Sequence, residues 1–327
     1  MTDRLHVSLA MRPASLADHL FDDTLRRRMQ TVANVRPEVL EDFENPASRE
    51  ALAATDVLVA GWGAPPLPED ERAAPRLRAV LSASGNAGGM LGPLARTRGL
   101  RLTNARTANS RPVAEFAVAA ILLAGKRALP AARLYGQLRG SVDRETHLAT
   151  AGNHGARIGI VGASTTGRLT IELLRPFDLH VVVHDPYLDE AGARSLGVEL
   201  ASLDELVRTC SVVSVQAPEL PETRGMIGAA QLSAMPDGAT LINTARGSLI
   251  DTDALVAELL TGRIDAVLDV TDPEPLPPDH PLWDLPNVLL TPHVAGSLGN
   301  ELLRLGARVV EELEQLAQGL PALDPES

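Results

Sequence analysis

Short, mainly apolar runs alternate with amphipathic stretches along most of the chain. Four such runs in the first third predict buried strands, at 5–9, 57–60, 79–82 and 100–102. Between them, segments 20–30 and 69–74 have the spacing of apolar residues that is typical of helices. Strands that alternate with helices form a parallel sheet covered by helices, so the pattern predicts an α/β fold.

The middle of the chain contains one long apolar segment. Residues 112–123 are apolar except for Glu115, which predicts a buried helix too short to cross a bilayer. The polar segment 128–151 that follows has no clear period. We expect it to be an irregular surface excursion or a contact between subunits.

The alternation becomes regular in the second half. Six strands are predicted there, at 157–161, 180–184, 212–215, 240–243, 266–270 and 288–290. Helices are predicted between them, for example at 203–208 and 252–260, and six strands are the number in a full dinucleotide-binding sheet. The amphipathic run 302–316 predicts a helix that packs back on the first domain, and we expect the tail after Gly319 to be frayed.

Composition narrows the possible partners. The 327 residues are enough for two domains, and aromatic residues make up only 2%, so the cores must be built from aliphatic side chains. A formal net charge of −12 argues against nucleic acid and anionic membranes as partners. Cys210 is the one cysteine, which favours a reducing compartment such as the cytoplasm, and no signal peptide or membrane span is predicted.

A glycine-rich turn follows the first strand of the second half. It runs from Gly162 through Ser164, Thr165 and Thr166 to Gly167, just before a segment predicted to be helical. Gly162 would permit the tight turn, and Gly167 would permit close packing of the helix on the strand. The helix N-terminus would offer free N–H groups to a pyrophosphate. Ser164 stands at the middle glycine of the usual fingerprint, so its side chain must turn away or bind the phosphate.

An acidic residue stands at the end of the next strand. Asp185 lies 23 positions after Gly162, close to the spacing at which a carboxylate binds the ribose hydroxyls of a dinucleotide. A carboxylate there repels a 2′-phosphate, so the sequence favours NAD over NADP. Alternatively, Asp185 only begins the turn at the following proline.

Three polar residues each follow one of the last three predicted strands. They are Arg246, Glu274 and His293, and the carboxyl ends of neighbouring parallel strands bring such residues to one edge of the sheet. Histidine can give and take a proton near neutral pH, a carboxylate on its other nitrogen fixes its tautomer, and arginine binds a substrate carboxylate in a bidentate pair. Taken singly, each is more often an ordinary loop residue, but their shared placement predicts a catalytic site.

No metal site is predicted, because prolines interrupt the acidic segment 269–280.

The motifs together resemble the D-isomer-specific 2-hydroxyacid dehydrogenases. The strongest matches read VSVQAPELPETRG at 213–225, NTARG at 243–247, LDVTDPEP at 268–275 and NVLLTPHVAGS at 287–297. Weaker matches lie at 103–105, 108–110 and 113–115. The resemblance covers nearly the whole chain.

This resemblance implies a fold, a reaction and a set of residues. The fold is α/β, with two Rossmann-like or flavodoxin-like domains: a substrate domain (1–107 and 297–327) into which an NAD-binding domain (108–296) is inserted. The expected protein is a homodimer that transfers a hydride between NAD(H) and a small 2-hydroxy acid or 2-keto acid. Arg246 binds the substrate, and Glu274 pairs with His293, the acid and base. Expected cofactor contacts are Gly162, Ser164, Thr165, Thr166, Gly167, Asp185, Ala217, Pro218, Thr244, Ala245 and Asp269.

Departures from the family pattern leave the substrate open. The backbone of Ser84, Gly85 and Asn86 is expected to hold the substrate carboxylate, but this loop lacks the usual Asp-Asn ending. Gln216 stands where the family usually has histidine. The departure at 216 puts the contact of that histidine in doubt, and the departure in the loop predicts a carboxylate pocket that admits an acid unusual for the family.

Three other functions fit parts of the pattern. An NAD(H)-sensing regulatory protein can keep this fold and the same three polar residues without turnover. Formate dehydrogenase-like chemistry is disfavoured because such enzymes place glutamine at the position of Glu274. A methyltransferase would share the ribose-binding acid but would not need the three polar residues.

Overall fold

The computed structural model of the chain describes residues 4–85 and 98–326. The chain divides into two compact units, Met1–Ser110 with Ser297–Ser327, and Arg111–Gly296. Each unit contains one sheet whose named strands all pair in parallel. The predicted α/β class with two parallel sheets is therefore confirmed.

The sheet of the first unit has the order β2-β1-β3-β4-β5. Its strands are β1 (Leu5–Ala10), β2 (Ala33–Leu40), β3 (Val57–Ala60), β4 (Ala79–Ser82) and β5 (Arg101–Thr103). This is the flavodoxin-like order, in which connections leave the sheet in opposite directions on the two sides of β1. β3 and β4 are buried at every position, because helices cover both faces of a parallel sheet.

Helices cover this sheet on both faces. They are Leu16–Leu20, Asp23–Val32, Pro46–Ala53 and Leu302–Ala317, with 3₁₀ turns at Glu71–Ala73 and Gly299–Glu301. The last helix packs on the first unit as predicted, with Leu305, Val309 and Leu313 fully or almost fully buried in the same cluster as Phe21. Gly306 permits this approach, since a Cβ there would collide with the Leu20 carbonyl oxygen.

Several predictions in the first unit were wrong in part. The predicted helix 20–30 is present but begins at Asp23, because Asp22 accepts a hydrogen bond from Leu25 N (2.8 Å) and caps it; a separate short helix, Leu16–Leu20, precedes it. Segment 69–74 contains only a single 3₁₀ turn. The strand β2 was not predicted, because it is a partly exposed edge strand that contains Pro37. The helix Pro46–Ala53 was also not predicted.

The C-terminal tail is also ordered, contrary to expectation. Pro325 forms an antiparallel bridge with Thr103, and Glu326 N donates to Leu102 O at 2.9 Å. Glu312, which is 1% exposed, accepts hydrogen bonds from the tail backbone at Leu323 (2.8 Å) and the residue after it (2.6 Å). A buried carboxylate that needs these donors holds the tail in place.

The sheet of the second unit has seven strands in the order β12-β11-β10-β9-β6-β7-β8. They are β6 (Ala156–Val161), β7 (Leu179–His184), β8 (Glu199–Leu200), β9 (Val212–Val215), β10 (Thr240–Asn243), β11 (Asp265–Leu268) and β12 (Val288–Leu290). This is the Rossmann order with an added strand. Strands before β9 are added on one side of β6 and later strands on the other, so the strand order reverses between β6 and β9. The six predicted strands are present, and the two-residue β8 was missed because it is too short to show alternation.

Most helices of the second unit contribute buried residues to the clusters that cover its sheet. The helices of this unit are Arg106–Gly125, Ala128–Leu138, Arg144–His147, Thr165–Leu174, Glu190–Leu196, Leu203–Thr209, Ala229–Ala234 and Thr252–Leu260, with 3₁₀ turns at Pro221–Thr223, Gly247–Leu249 and Pro281–Trp283. Ala128–Leu138 and Arg144–His147 have no buried residue. The helix Arg106–Gly125 begins six residues before the predicted 112, with Pro112 inside it and Asn104 Oδ1 accepting from Arg106 N at 2.9 Å. Segment 128–151 is not irregular, since it forms two of these helices.

Candidate active site

The turn after β6 requires glycine at positions 162 and 167, two of the positions predicted to bind a cofactor. Gly162 has φ +103°, and a Cβ there would lie 2.5 Å from Ala217 Cα. A Cβ on Gly167 would collide with the carbonyl oxygen of Gly162. The helix Thr165–Leu174 therefore starts against the strand end, with its N-terminus at the point where the sheet reverses.

Ser164 uses its side chain within the protein. Its Oγ accepts a hydrogen bond from Gly167 N at 3.2 Å and donates to the Gln216 carbonyl oxygen at 2.7 Å. The serine is thus the N-cap of the helix and ties it to the end of β9. Thr165 is exposed in the first turn, and Thr166 is half-buried.

Asp185 lies beside the glycine turn, because β6 and β7 pair with Val161 opposite His184. Its Oδ2 accepts from Ala163 N at 2.7 Å, and its Oδ1 accepts from Tyr187 N at 2.8 Å. The bond from Tyr187 N belongs to the turn at Asp185 and the following proline, which was the alternative interpretation of Asp185. Each carboxylate oxygen accepts more than one hydrogen bond, so the turn and ribose binding are compatible.

The ends of β9 and β10 are joined by a buried amide. Gln216 Nε2 donates to Ser214 Oγ (3.0 Å) and Thr244 Oγ1 (3.1 Å), which fixes the strand ends that precede the predicted contacts Pro218 and Ala245. Asn243 supports the same turn. It is 1% exposed, accepts from Ala245 N (3.0 Å) and donates to the carbonyl oxygen of the next residue, 246 (2.8 Å). Sequence analysis did not single out Asn243, although a buried amide at a strand end is a usable signal.

His293 and Glu274 meet at the ends of β11 and β12. His293 Nδ1 lies 2.7 Å from Glu274 Oε1, and the two side chains are 48% and 43% exposed. An ionised carboxylate only accepts, so Nδ1 carries the proton and Nε2 is left for another partner.

The turn that presents His293 is held by Asp269. The histidine backbone is left-handed (φ +55°), a conformation that costs energy unless neighbouring bonds fix it. Asp269 is 1% exposed; its Oδ1 accepts from Thr291 Oγ1 (2.6 Å) and Val294 N (2.8 Å), and its Oδ2 accepts from Ala295 N (2.8 Å). Asp269 was predicted to contact the cofactor. All three of these hydrogen bonds instead join its carboxylate to the turn that carries His293.

Arg246 follows the neighbouring strand, but no hydrogen bond or ion pair joins its side chain to Glu274 or His293 in the described structure. Its Nη1 donates to its neighbour's carbonyl oxygen, at Ala245 (2.6 Å), and its Nε lies 3.9 Å from Glu219 Oε2. The side chain is 50% exposed. The backbone just after Arg246 abuts residues 271 and 272, which lead to Glu274. Glu219 was not among the residues predicted for the site.

The predicted carboxylate loop belongs to the first unit. Ser84 is buried, and its Oγ lies 2.9 Å from Ser82 Oγ. A Cβ on Gly85 would have Asn109 Nδ2 at 3.5 Å, which is ordinary contact. Asn86 lies outside the described residues.

Two further observations limit the chemistry. Burial raises the pKa of the Cys210 thiol to about 11, so Cys210 is a poor nucleophile. Over 4–85 and 98–326, no three His, Cys, Asp or Glu side chains are grouped so as to bind a metal. None of the helices in those ranges combines the length and apolar character of a membrane span.

Comparison with known proteins gives consistent matches. Residues 118–295 match the family model for the NAD binding domain of D-isomer specific 2-hydroxyacid dehydrogenases. A glyoxylate reductase of Aeropyrum pernix is 33% identical over 252 residues, 75% of each chain. A D-3-phosphoglycerate dehydrogenase of Mycobacterium bovis is 35% identical over 248 residues, but the match covers 46% of its length, so the chain spans about half of that relative. A phosphoglycerate oxidoreductase of Rhizobium etli, solved as a crystal structure, superposes with a TM-score of 0.80 at 27% identity, covering 99% of this chain and 98% of that one.

Proposed function

The chain belongs to the D-isomer-specific 2-hydroxyacid dehydrogenase family, and from this premise we propose that it interconverts a small 2-hydroxy acid and the corresponding 2-keto acid. NAD(H), when bound, accepts or supplies the hydride. The observation that carries the proposal is the 2.7 Å contact between His293 and Glu274 at the carboxyl ends of adjacent strands. Such a pair matches the proton transfer that alcohol oxidation requires.

Each polar side chain has a separate role in this proposal. His293 Nε2 gives a proton to the carbonyl oxygen of a keto acid, or takes one from the hydroxyl in the reverse direction. Glu274 keeps the proton of the neutral ring on Nδ1 and stabilises the ring when it is charged. Arg246 binds the substrate carboxylate and polarises the carbonyl group. The carboxylate role of Ser84, Gly85 and Asn86 remains a prediction from the resemblance.

The residues of the second unit fit a dinucleotide. Gly162 lets the Ala217 backbone approach the turn, and the helix Thr165–Leu174 begins just after it, where backbone N–H groups favour a pyrophosphate. Asp185 beside this turn would accept from ribose hydroxyls and disfavour a 2′-phosphate. Thr165, Thr166, Ala217, Pro218, Thr244, Ala245 and Asp269 remain proposed contacts.

A keto-acid screen that follows NADH absorbance tests the proposed reaction. We expect at least one small 2-keto acid to be reduced, and His293→Ala to lower turnover by roughly 10²–10⁴. The variant should still bind NADH, because its side chain is not needed for the cofactor cradle. Tight NADH binding with no turnover of any acid would instead favour the sensor, and full activity of the variant would remove His293 from the reaction.

We also propose that the protein is a homodimer through the second unit. The helix Ala128–Leu138 has no buried residue, although it carries large apolar side chains. Tyr135 and Leu138 are 63% and 51% exposed, and Leu123, nearby in sequence, is 54% exposed. Apolar side chains in such a position favour a subunit contact. Light scattering after gel filtration should give a dimer, and Leu138→Glu should shift it to monomer; a monomeric wild-type protein would contradict the proposal.

The cytoplasm is the proposed compartment. A reaction that depends on NAD(H) needs a coenzyme pool, and a single buried cysteine suits a reducing environment. Cell fractionation tests this, and recovery of the protein outside the cytoplasmic fraction would contradict it.

A further inference from the structure

A second carboxylate lies beside the arginine that is proposed to bind substrate. Glu219 Oε2 is 3.9 Å from Arg246 Nε, and Glu219 Oε1 accepts a hydrogen bond from Ser248 Oγ at 2.7 Å. Ser248 is only 8% exposed, so its hydroxyl is a fixed donor, whereas Glu219 and Arg246 are 48% and 50% exposed. The carboxylate is therefore held next to the guanidinium on a surface that small molecules can reach.

We propose that Glu219 makes the site selective for 2-keto acids that carry a single negative charge. The inference rests on the proposed function, because it assumes that Arg246 receives the substrate carboxylate. Arg246 and Glu219 together have no net charge. A substrate with one carboxylate can still form the bidentate pair with Arg246. A second anionic group would meet the charge of Glu219, and the one ion pair of Glu219 within residues 4–85 and 98–326 is with Arg246 itself.

The neighbouring arginine does not offset the charge of Glu219. Arg224 lies close by, since Gly225 N donates to the Ser248 carbonyl oxygen at 2.8 Å. Its guanidinium is already paired with Asp272, at 3.0 Å. This additional cation is therefore neutralised by its own ion pair. The inference separates this chain from the phosphoglycerate dehydrogenases that it resembles, whose named substrate carries a phosphate as well as a carboxylate.

The expected size of the effect follows from one unit charge. At about 6 Å and an effective dielectric constant of about 40, between the values for a protein surface and for water, one charge changes an ionic equilibrium roughly tenfold. The effect should shrink in about 0.5 M salt, because both groups are half exposed.

The test compares two five-carbon acids that differ in charge, 2-ketovalerate with one carboxylate and 2-ketoglutarate with two. We expect Glu219→Gln to raise the ratio of kcat/KM for 2-ketoglutarate over 2-ketovalerate roughly tenfold. The glutamine oxygen can still accept the hydrogen bond from Ser248 Oγ. If the substitution only displaced Arg246, kcat/KM would fall for both acids and their ratio would not change. The matched control is Glu222→Gln, which removes the same charge from an exposed residue of the same loop that forms no ion pair in the described structure. Its ratio should change less than about twofold.

The outcomes separate the inference from the proposed function. If both acids are reduced and Glu219→Gln leaves the ratio unchanged, the selectivity inference is wrong and the proposed function stands. If the wild-type protein reduces no 2-keto acid, the proposed function fails, and the inference is tested by calorimetry on the NADH-bound protein. Oxamate and oxalate have the same shape and differ by one charge. A preference for oxamate that Glu219→Gln removes supports the inference; an equal ratio in both proteins, or binding of neither ligand, overturns it.

Discussion

Replacing Asp269 with asparagine tests whether this buried carboxylate acts through the turn that carries His293. The carboxylate accepts three hydrogen bonds, from Thr291 Oγ1, Val294 N and Ala295 N. An amide has almost the same shape but can accept on its oxygen only. Whichever way the amide is turned, its NH₂ group faces a backbone N–H, so at least one bond is lost and two donors are forced together.

The magnitude follows from the burial of these groups. A hydrogen bond to a charged acceptor contributes about 1.5–3 kcal/mol, and a buried donor left without a partner costs about 1–3 kcal/mol. We therefore expect Asp269→Asn to lower the free energy of unfolding of the second unit by about 2–3 kcal/mol. For a unit of this size that corresponds to a fall in Tm of about 4–12 °C. The left-handed backbone of His293 should relax, and kcat should fall at least tenfold because a misplaced acid transfers protons poorly.

The assay measures Tm, kcat and the Kd for NADH on the same preparation. The matched control is Asp284→Asn, an exposed carboxylate in the segment before β12, and we expect its Tm to stay within about 2 °C of wild type. A raised Kd for NADH with an unchanged Tm would refute the reasoning. Asp269 would then act through the cofactor, as the family resemblance implies, and not through the histidine turn.

Three other changes test separate parts of the structure. Hydrogen bonds from Arg157 and His180 lower the pKa of Glu199 to about 2 from 4.5, so its contribution to stability is present above pH 4.5 and is lost as the pH falls toward 2. Glu199→Gln should flatten this acid dependence of Tm and cost less than about 1 kcal/mol at neutral pH; an unchanged acid profile would contradict it. Arg246→Lys should raise KM for the keto acid roughly tenfold, because an ammonium cannot form a bidentate pair, and an unchanged KM would remove Arg246 from substrate binding. Asp185→Ala should lower the preference for NAD over NADP roughly tenfold, measured as a ratio of kcat/KM, and unaltered selectivity would show that another residue selects the cofactor.

Several strands that are buried at every position were predicted with the observed bounds. Val57–Ala60, Ala79–Ser82 and Val212–Val215 have the predicted bounds, because every position in them is buried by helices on both faces. The edge strand Ala33–Leu40 was missed, since exposed positions and a proline remove the apolar run. The helix Ala128–Leu138 was missed for a related reason: none of its residues is buried, although Leu129 packs against the core of the second unit as a partly buried side chain.

The candidate site was predictable as far as it depends on strand ends. Glu274 and His293 follow adjacent strands, and that order alone predicts that the two residues lie close together. The contacts of Asp269 and Glu219 depend instead on side-chain conformations. Glu219 and Ser248 are 29 residues apart, and Asp269 had been expected to face a cofactor. Spacing along the chain does not specify which way a side chain turns at a strand end.

The two departures near the cofactor turn, Ser164 and Gln216, illustrate this limit. They are in contact, since Ser164 Oγ donates to the carbonyl oxygen of Gln216, but any residue at 216 would supply that oxygen. The glutamine side chain points to other partners, Ser214 and Thr244, so it does not compensate for the serine. Ser164 is tolerated for its own reason: its hydroxyl caps the helix whose N-terminus is proposed to receive the pyrophosphate. A residue that looks like a lost glycine in the sequence therefore stabilises the start of the same helix.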